Sequence, residues 1–410
     1  MRAKLFYSTT VLLFMLFVAC IFACKPYKDL GRVNYADRYK PVQSFLFVHS
    51  AVIHSNNDSS VLVLEIPTYQ NGFQYDTVRF SIKFLLYETL SSLSAYDSLK
   101  KQINCSTSNG YYHLEIPFNV KMNSSSFMYV YVSEKSSLKH SEMFFSVNKN
   151  LTSSGFIYPV RAKTNEKYIS SYVNRNQSLQ MHNCFGADTF RVWYYNYEFQ
   201  LATPTFFNSI PPKFPDRVDT VYVFTNVDSF HLLKSGLYVF HSTTHPDLIY
   251  SLLCTNESYP FITEPIQMAR PLRYISKNEE YDYFFQKNIK ERVDSFWIDK
   301  GGSNEHAKDM IRRYYNRVQF SNEFFSSYQE GWQTDRGLVY IIFGPPDEVF
   351  YDEDAEWWGY HSRGNRSSVR YKFVETENPF GIKSYSLLRN QNYFDSWNRQ
   401  GYAWRHGLAD

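Results

Sequence analysis

Thr77-Val78-Arg79-Phe80-Ser81-Ile82-Lys83-Phe84 decides the fold class. Apolar and polar residues alternate through it without a break, as they do in a strand with one buried and one wet face. Similar short runs recur on either side. Phe45, Phe47 and Val48 open one, and Val61-Leu62-Val63-Leu64-Glu65-Ile66-Pro67 forms another. Tyr111-Tyr112-His113-Leu114-Glu115-Ile116, Phe127-Met128-Tyr129-Val130-Tyr131-Val132 and Met143-Phe144-Phe145-Ser146-Val147 follow. β-Branched and aromatic runs separated by Asn, Ser and Gly predict an antiparallel β-sandwich-like domain over 44–150.

A second antiparallel, sandwich-like domain is expected over 151–270. Its clearest strands are Phe190-Arg191-Val192-Trp193-Tyr194-Tyr195, Thr220-Val221-Tyr222-Val223-Phe224 and Gly236-Leu237-Tyr238-Val239-Phe240. Pro204 and Pro211-Pro212-Lys213-Phe214-Pro215 belong to loops, because proline cannot donate to a ladder. No sequence repeat links the two blocks.

Beyond Pro265 the apolar period becomes helical, which predicts an α+β domain over 271–410. Asn278-Glu279-Glu280 opens a helix running to about Trp297, and Gly301-Gly302 ends it. Ser303 caps a second helix with Glu305 in its first turn. Ala307, Met310, Ile311, Tyr314 and Val318 recur there at spacings of three and four. Leu338-Val339-Tyr340-Ile341-Ile342-Phe343 is expected as a strand, followed by the turn Gly344-Pro345-Pro346-Asp347, where a cis bond is an option. Further β segments are expected around 369–374 and 383–387. The fold class is therefore multidomain, with two β-sandwich-like domains followed by an α+β domain.

Composition narrows the function. Of 410 residues, 44% are hydrophobic and 19% aromatic, too apolar for a disordered chain. The net charge of +3 gives no reason to expect a nucleic-acid partner. Cys105, Cys184 and Cys254 match no metal spacing and allow at most one internal disulfide. Cys184 with Cys254 is the favoured pair, and three buried thiols are the alternative.

The chain begins with Arg2 and Lys4, then the apolar run Val11 to Ala23, then Cys24. These are the parts of an export signal over 1–23, and the run is shorter than the roughly 20 residues of a spanning helix. Ile21-Phe22-Ala23-Cys24 resembles the lipobox of bacterial lipoproteins, and Phe17-Val18-Ala19-Cys20 is a second candidate. A plain cleaved signal and an uncleaved anchor helix are the other readings. The resemblance implies diacylglycerol on the Cys24 thiol and an N-acyl chain on its freed amine, a membrane anchor of several chains, with no other cofactor. Lys25 replaces the Asp that retains such proteins in the inner membrane of enteric bacteria. The stretch Lys25-Pro26-Tyr27-Lys28-Asp29 also lacks the acidic cluster of surface-displayed lipoproteins in Bacteroidetes. Both point to the outer membrane, facing the periplasm. Residues 24–43 read as a polar tether. At about 3.3–3.6 Å per residue it would hold the first β domain some tens of ångströms from the bilayer, with the C-terminal domain at the far end.

Gly331-Trp332-Gln333-Thr334-Asp335 resembles the signature of the GWxTD domain family of Bacteroidetes envelope proteins. Phe296-Trp297, Tyr315-Asn316-Arg317-Val318, Arg336-Gly337, Gly344-Pro345-Pro346-Asp347-Glu348 and Trp357-Trp358-Gly359-Tyr360 extend the likeness over about 271–393. The family implies no established reaction. Read physically, Gly331 and Gly337 offer positive backbone torsions, Trp332 locks helix against sheet, and Thr334 and Asp335 are turn residues. The motif is then a folding clasp. On the other reading Trp332, Asp335, Arg336 and Asp347 form a rim that grips a partner.

Catalytic constellations are weak. Asp335 and Asp347 flank one predicted strand and sit too far apart for paired acid–base work. Asp352-Glu353-Asp354-Ala355-Glu356 lacks the glycine and spacing of a calcium loop, so no metal is expected. No H-E-x-x-H, G-x-S-x-G or phosphate loop occurs. His182 and Cys184 share a strand face, which an ordinary strand also explains. Asp76-Thr77-Val78, Asp97-Ser98-Leu99 and Asp219-Thr220-Val221 resemble the O-glycosylation acceptor of Bacteroidetes. The expectation is a non-catalytic envelope lipoprotein, a binding or scaffold subunit of an outer-membrane assembly or secretion complex. Exposed aromatics and the loop from Arg363 to Arg366 would be its contacts. The alternative is a glycan-binding or glycan-hydrolysing lipoprotein, with Trp357 and Trp358 stacking on sugars.

Overall fold

A computed structural model describes residues 29–40, 46–72, 76–92, 94–108, 110–137, 139–150, 154–208, 211–361 and 368–409. Cys24, Cys20, the export signal and the Arg363–Arg366 loop lie outside the described residues.

The first β region runs β1 (His49–His54), β2 (Ser59–Pro67), β3 (Thr77–Tyr87), β4 (Asp97–Ser108), β5 (Tyr111–Asn119), β6 (Ser124–Glu134) and β7 (His140–Lys149). Among the described residues these form one seven-stranded sheet in the order β1-β2-β5-β4-β3-β6-β7. All its pairings are antiparallel. β4 and β5 meet only at Thr107–Tyr112 and Ser108–Tyr111. Leu62, Leu64, Leu114 and Ile116 share one core cluster with Val78, Phe80, Ile82 and Val130. The alternation in β3 holds from Thr77 to Phe84 and then stops, with Leu85, Leu86 and Tyr87 all buried. There the outer face is covered too. Leu85, Tyr87, Tyr129 and Phe144 pack in one cluster with Tyr351, Trp358 and Tyr340 of the C-terminal region.

The stretch expected to be a polar tether is packed into that cluster. Asp29–Lys40 carries two short 3-10 turns, and Leu30, Tyr35, Ala36 and Tyr39 are buried. The Tyr35 N–H donates to the Val349 carbonyl (2.9 Å) and Asn34 Oδ1 accepts from the Val349 N–H (2.9 Å). Tyr340 Oη donates to the Tyr39 carbonyl (2.8 Å). A polar-dotted sequence hid this because its few apolar residues find partners some 300 positions away. The C-terminal region is therefore not the far end of a tether, since residues 29–40 are docked upon it.

The second region comprises β8 (Ile157–Arg161), β9 (Tyr172–Asn174), β10 (Leu179–Asn183), β11 (Thr189–Tyr195), β12 (Thr220–Thr225), β13 (Ser229–Phe230), β14 (Gly236–Ser242) and β15 (Ile249–Thr255). It forms a three-stranded sheet, β13-β10-β8, and a five-stranded sheet, β12-β11-β14-β15-β9. The larger sheet is mixed, because β15 pairs with β9 in parallel. Cys105, Cys184 and Cys254 are free thiols. The expected Cys184–Cys254 bond is absent, and the Cys254 thiol instead points at the Leu232 carbonyl (3.5 Å).

The C-terminal region begins with α1 (Pro265–Ala269). The single helix expected to Trp297 is two, α2 (Asn278–Phe284) and α3 (Ile289–Gly301), broken at Asn288 with φ 62°. α4 (Asn304–Phe325) follows as expected, its Ser303 cap accepting from the His306 N–H, with Ala307, Met310, Tyr314 and Val318 inward. The strand expected at 338–343 is instead helix α5 (Asp335–Phe343). Leu338 to Ile342 are all buried, so no exposed face betrays the helical period, and a β-branched run reads as a strand. Thr334 decides the outcome by capping the first turn (Gly337 N–H to Thr334 Oγ1, 3.0 Å). A four-stranded antiparallel sheet closes the region: β16 (Glu348–Tyr351), β17 (Ala355–His361), β18 (Ser368–Thr376) and β19 (Ser384–Leu387), in that order. Helix α6 (Phe394–Arg405), not anticipated, buries Trp397 and Trp404. The cis peptide among the described residues precedes Pro260, not Pro345 or Pro346. No helix of the described residues is long and apolar enough to cross a membrane.

Candidate functional site

Two glycines bring three segments into contact. Neither Gly331 nor Gly337 has a positive φ, contrary to expectation. Close approach requires them instead: a Cβ on Gly331 would lie 1.9 Å from the Ser321 carbonyl oxygen, and one on Gly337 would lie 2.0 Å from the Gly331 carbonyl oxygen. The 3-10 turn Gly331–Gln333 thereby lies directly against α4 on one side and the start of α5 on the other.

Trp332 is buried and held at both ends. Its backbone N–H donates to Asn322 Oδ1 (3.1 Å), its carbonyl accepts from Tyr274 Oη (2.9 Å), and its indole N–H donates to Glu330 (2.6 Å). Burial raises the Glu330 carboxyl above its ordinary range, with the Trp332 indole pulling back. Thr334 Oγ1 also donates to the Gly331 carbonyl (2.8 Å), tying the cap of α5 back to the turn.

Asp335, first residue of α5, reaches across to the far edge of the sheet. Its carboxylate accepts from the Leu387 N–H (2.7 Å) and holds both terminal nitrogens of Arg389. That guanidinium also donates to the Thr203 carbonyl (3.1 Å). Arg336 points the other way and donates to Glu356 (3.1 Å), which is 1% exposed. Its guanidinium lies over the Tyr385 ring at 4.3 Å and the Phe325 ring at 5.0 Å. Burial disfavours the Arg336 charge, but Glu356 together with Tyr39, Tyr385 and Tyr351 outweighs this and raises its pKa. Glu356 further accepts from Tyr39 Oη (2.7 Å) and the Trp358 indole (2.8 Å). One carboxylate thus joins the motif, the sheet and the N-terminal stretch.

Between the two clamps lies a cavity of about 290 Å³, lined by Gln333 to Arg336, Ser384 to Leu387, Gln329 and Arg389. Its size is at the small end of ligand sites, roughly 300–1,000 Å³. Two buried polar atoms of its lining residues have no hydrogen-bond partner among the described residues: Arg389 Nε, a donor, and Gln329 Oε1, an acceptor. Both side chains are about nine-tenths buried or more, at 7% exposure each.

The other sequence candidates fall elsewhere. Asp347 is exposed and its carboxylate accepts from the His361 N–H (2.7 Å) at the open end of the β16–β17 hairpin. Trp358 is completely buried, so it cannot stack on a sugar, and the indole of Trp357 donates to Asp352 (2.6 Å). Asp352 accepts from the Trp357 indole and Glu356 from Arg336. Burial pushes the Cys184 thiol up to about 11, and the His182 ring lies against Tyr158 at 4.9 Å. Exposed aromatics do occur, at Phe207, Tyr283 and Tyr402. The sequence reading missed Arg389, Gln329 and Glu356. Their only signal would have been a need for counterparts to Asp335 and Arg336.

A larger cavity of about 660 Å³ opens between the first and second β regions and is lined by Glu65, Tyr111, Arg161, Tyr168, Tyr172 and Asn174 among others. Arg161 donates to the buried Glu65 (2.6 Å) and lies over the Tyr168 ring at 5.2 Å.

A search of curated proteins finds no match for the chain. The family model of the GWxTD domain matches residues 236–406. The match starts at the first residue of β14, earlier than the expected 271. The packing accounts for this: Leu237 and Val239 of β14 share a cluster with Phe380 of the C-terminal sheet region, and Ser251 of β15 donates to the Phe380 carbonyl. From β14 through α6, the C-terminal part of the chain is a GWxTD domain.

Proposed function

We propose that the protein is a non-catalytic lipoprotein of the cell envelope, acylated at Cys24 and held on the periplasmic side of the outer membrane. In this reading its two β regions are sandwich-like modules and its GWxTD domain is the binding element of an assembly or secretion complex. One observation carries the binding role. The signature residues wall a cavity that retains an unmet donor and an unmet acceptor, while its carboxylate, Asp335, is locked in an ion pair. Unpaired buried polar groups cost about 1–3 kcal/mol each, so a partner that satisfies them gains what the free protein forgoes. A carboxylate fixed by Arg389 and the Leu387 N–H is poorly placed to move protons.

The docked stretch alters the geometry of anchoring. Cys24 precedes Asp29 by five residues, at most about 18 Å of chain. The GWxTD domain then stands next to the membrane, beside its anchor. Affinity capture of the tagged full-length protein from detergent-solubilised membranes tests the function. Recovery of a stable envelope partner supports it, and recovery of the protein alone refutes it.

The second reading, glycan binding, is favoured by the larger cavity, whose tyrosines and amide and charged side chains suit a sugar. Binding on a glycan array that is lost on Tyr168→Ala would support it.

A further inference from the structure

The register of β19 determines which of its backbone groups are spoken for. β18 and β19 are antiparallel, with Glu375 opposite Tyr385 and Phe373 opposite Leu387. The Leu388 N–H donates to the Lys372 carbonyl (2.8 Å). In an antiparallel pair the bonded positions alternate, so Ser384 and Ser386 make the ladder while Tyr385 and Leu387 direct their N–H and C=O away from β18. The Asp335 carboxylate takes the Leu387 N–H (2.7 Å). Two residues along, the Tyr385 N–H has no partner among the described residues. β19 is the end strand of its sheet, and Tyr385 lines the 290 Å³ cavity.

We propose that this edge accepts an extended polypeptide segment of a partner protein, which adds to β19 at Tyr385 and inserts toward Arg389 Nε and Gln329 Oε1. An extended peptide is the chemistry that offers both a carbonyl and an N–H at strand spacing, and exposed sheet edges capture such segments by main-chain hydrogen bonds. Arg389 Nε takes a peptide carbonyl, Gln329 Oε1 takes a peptide N–H, and the motif sets the site because Asp335 both closes the edge at Leu387 and positions Arg389. The proposal rests on the binding role proposed above and names its partner chemistry.

The probe is an array of linear, end-blocked heptapeptides read with the full-length protein in detergent. Two variants accompany it. Tyr385→Pro removes the outward N–H and leaves the β18 ladder whole, since proline is tolerated where the N–H faces away from its neighbour strand. Gln329→Met deletes the unmet acceptor and, with it, the long bond from Nε2 to the Gln333 carbonyl (3.4 Å), which keeps the Ala202 N–H as its donor, so thermal stability stays close to that of the wild type. Peptide binding that weakens about tenfold on each variant, with Gln329→Met close to wild-type stability, supports the proposal. Absence of peptide binding, or binding indifferent to both variants, overturns it. Self-association abolished by the same variants overturns it in favour of a second copy of the chain. If envelope partners are captured equally by wild type and both variants, the edge is not the contact and the scaffold role stands. If peptides bind the edge but no envelope partner is captured, the scaffold role falls and the edge remains.

Discussion

Replacing Gly331 with alanine tests the clasp where it is tightest. The added Cβ would sit 1.9 Å from the Ser321 carbonyl oxygen and 2.8 Å from Asn322 Cα. Ordinary carbon–oxygen contact is about 3.3 Å, so the turn must retreat from α4 by more than an ångström. Retreat breaks the Trp332 N–H bond to Asn322 and lifts a buried indole off its packing. Overpacking costs about 1–3 kcal/mol, and a lost bond that leaves buried groups unpaired adds about 1–3 kcal/mol, so a loss of about 2–6 kcal/mol is expected. Gly401 supplies the control. It lies within α6 and a Cβ there meets nothing within 4 Å, so Gly401→Ala should stabilise by about 0.5–1 kcal/mol through helix propensity alone. Urea unfolding followed by tryptophan fluorescence reads both. A Gly331→Ala protein within about 1 kcal/mol of wild type would refute the close-approach argument.

Three further outcomes are expected. Glu356→Gln leaves the buried Arg336 without its counter-charge, costing about 3 kcal/mol or more, and trypsin should cleave faster after Arg38 because the carboxylate that ties Arg336 to Tyr39 is gone. Glu280 is held down to about 2, first by its hydrogen bonds from Arg405, against burial, and by Lys300. A depressed carboxylate stabilises above its unfolded pKa of about 4.5 and loses that contribution as pH falls toward 2. The stability gap between wild type and Glu280→Gln should therefore be constant above pH 4.5 and narrow below it, and a gap unchanged down to pH 2 would contradict the clamp. Cys24→Ser should shift the protein from the membrane pellet to the wash in fractionation, and retention in the pellet would count against acylation there.

The sequence exposed those parts of the fold whose environment is asymmetric. β3 alternates because one face meets the core at Val78, Phe80 and Ile82 while Thr77, Arg79 and Lys83 meet water, and α4 shows its period for the same reason. α5 is covered on every side and shows none. The docked Asp29–Lys40 stretch and the β16–β17 hairpin depend on partners far along the chain, which local pattern does not carry. The candidate site divides likewise. Gly331, Trp332, Thr334, Asp335 and Gly337 stood out as a motif, but Asp335 finds Arg389 only 54 residues on and Arg336 finds Glu356 only 20 on. Positive torsion was the wrong reason for the glycines, because closeness of two backbones leaves no trace in composition. The open N–H of Tyr385 follows from strand register, which three-dimensional pairing alone fixes.

Amide hydrogen exchange tests the central claim most directly, comparing the full-length protein alone with the same protein in the complex captured from detergent-solubilised membranes. The account predicts slowed exchange at Tyr385 and its neighbours along the motif cavity in the complex. Protection confined to the larger cavity around Tyr111 and Tyr168, with Tyr385 exchanging at its free rate, would contradict it.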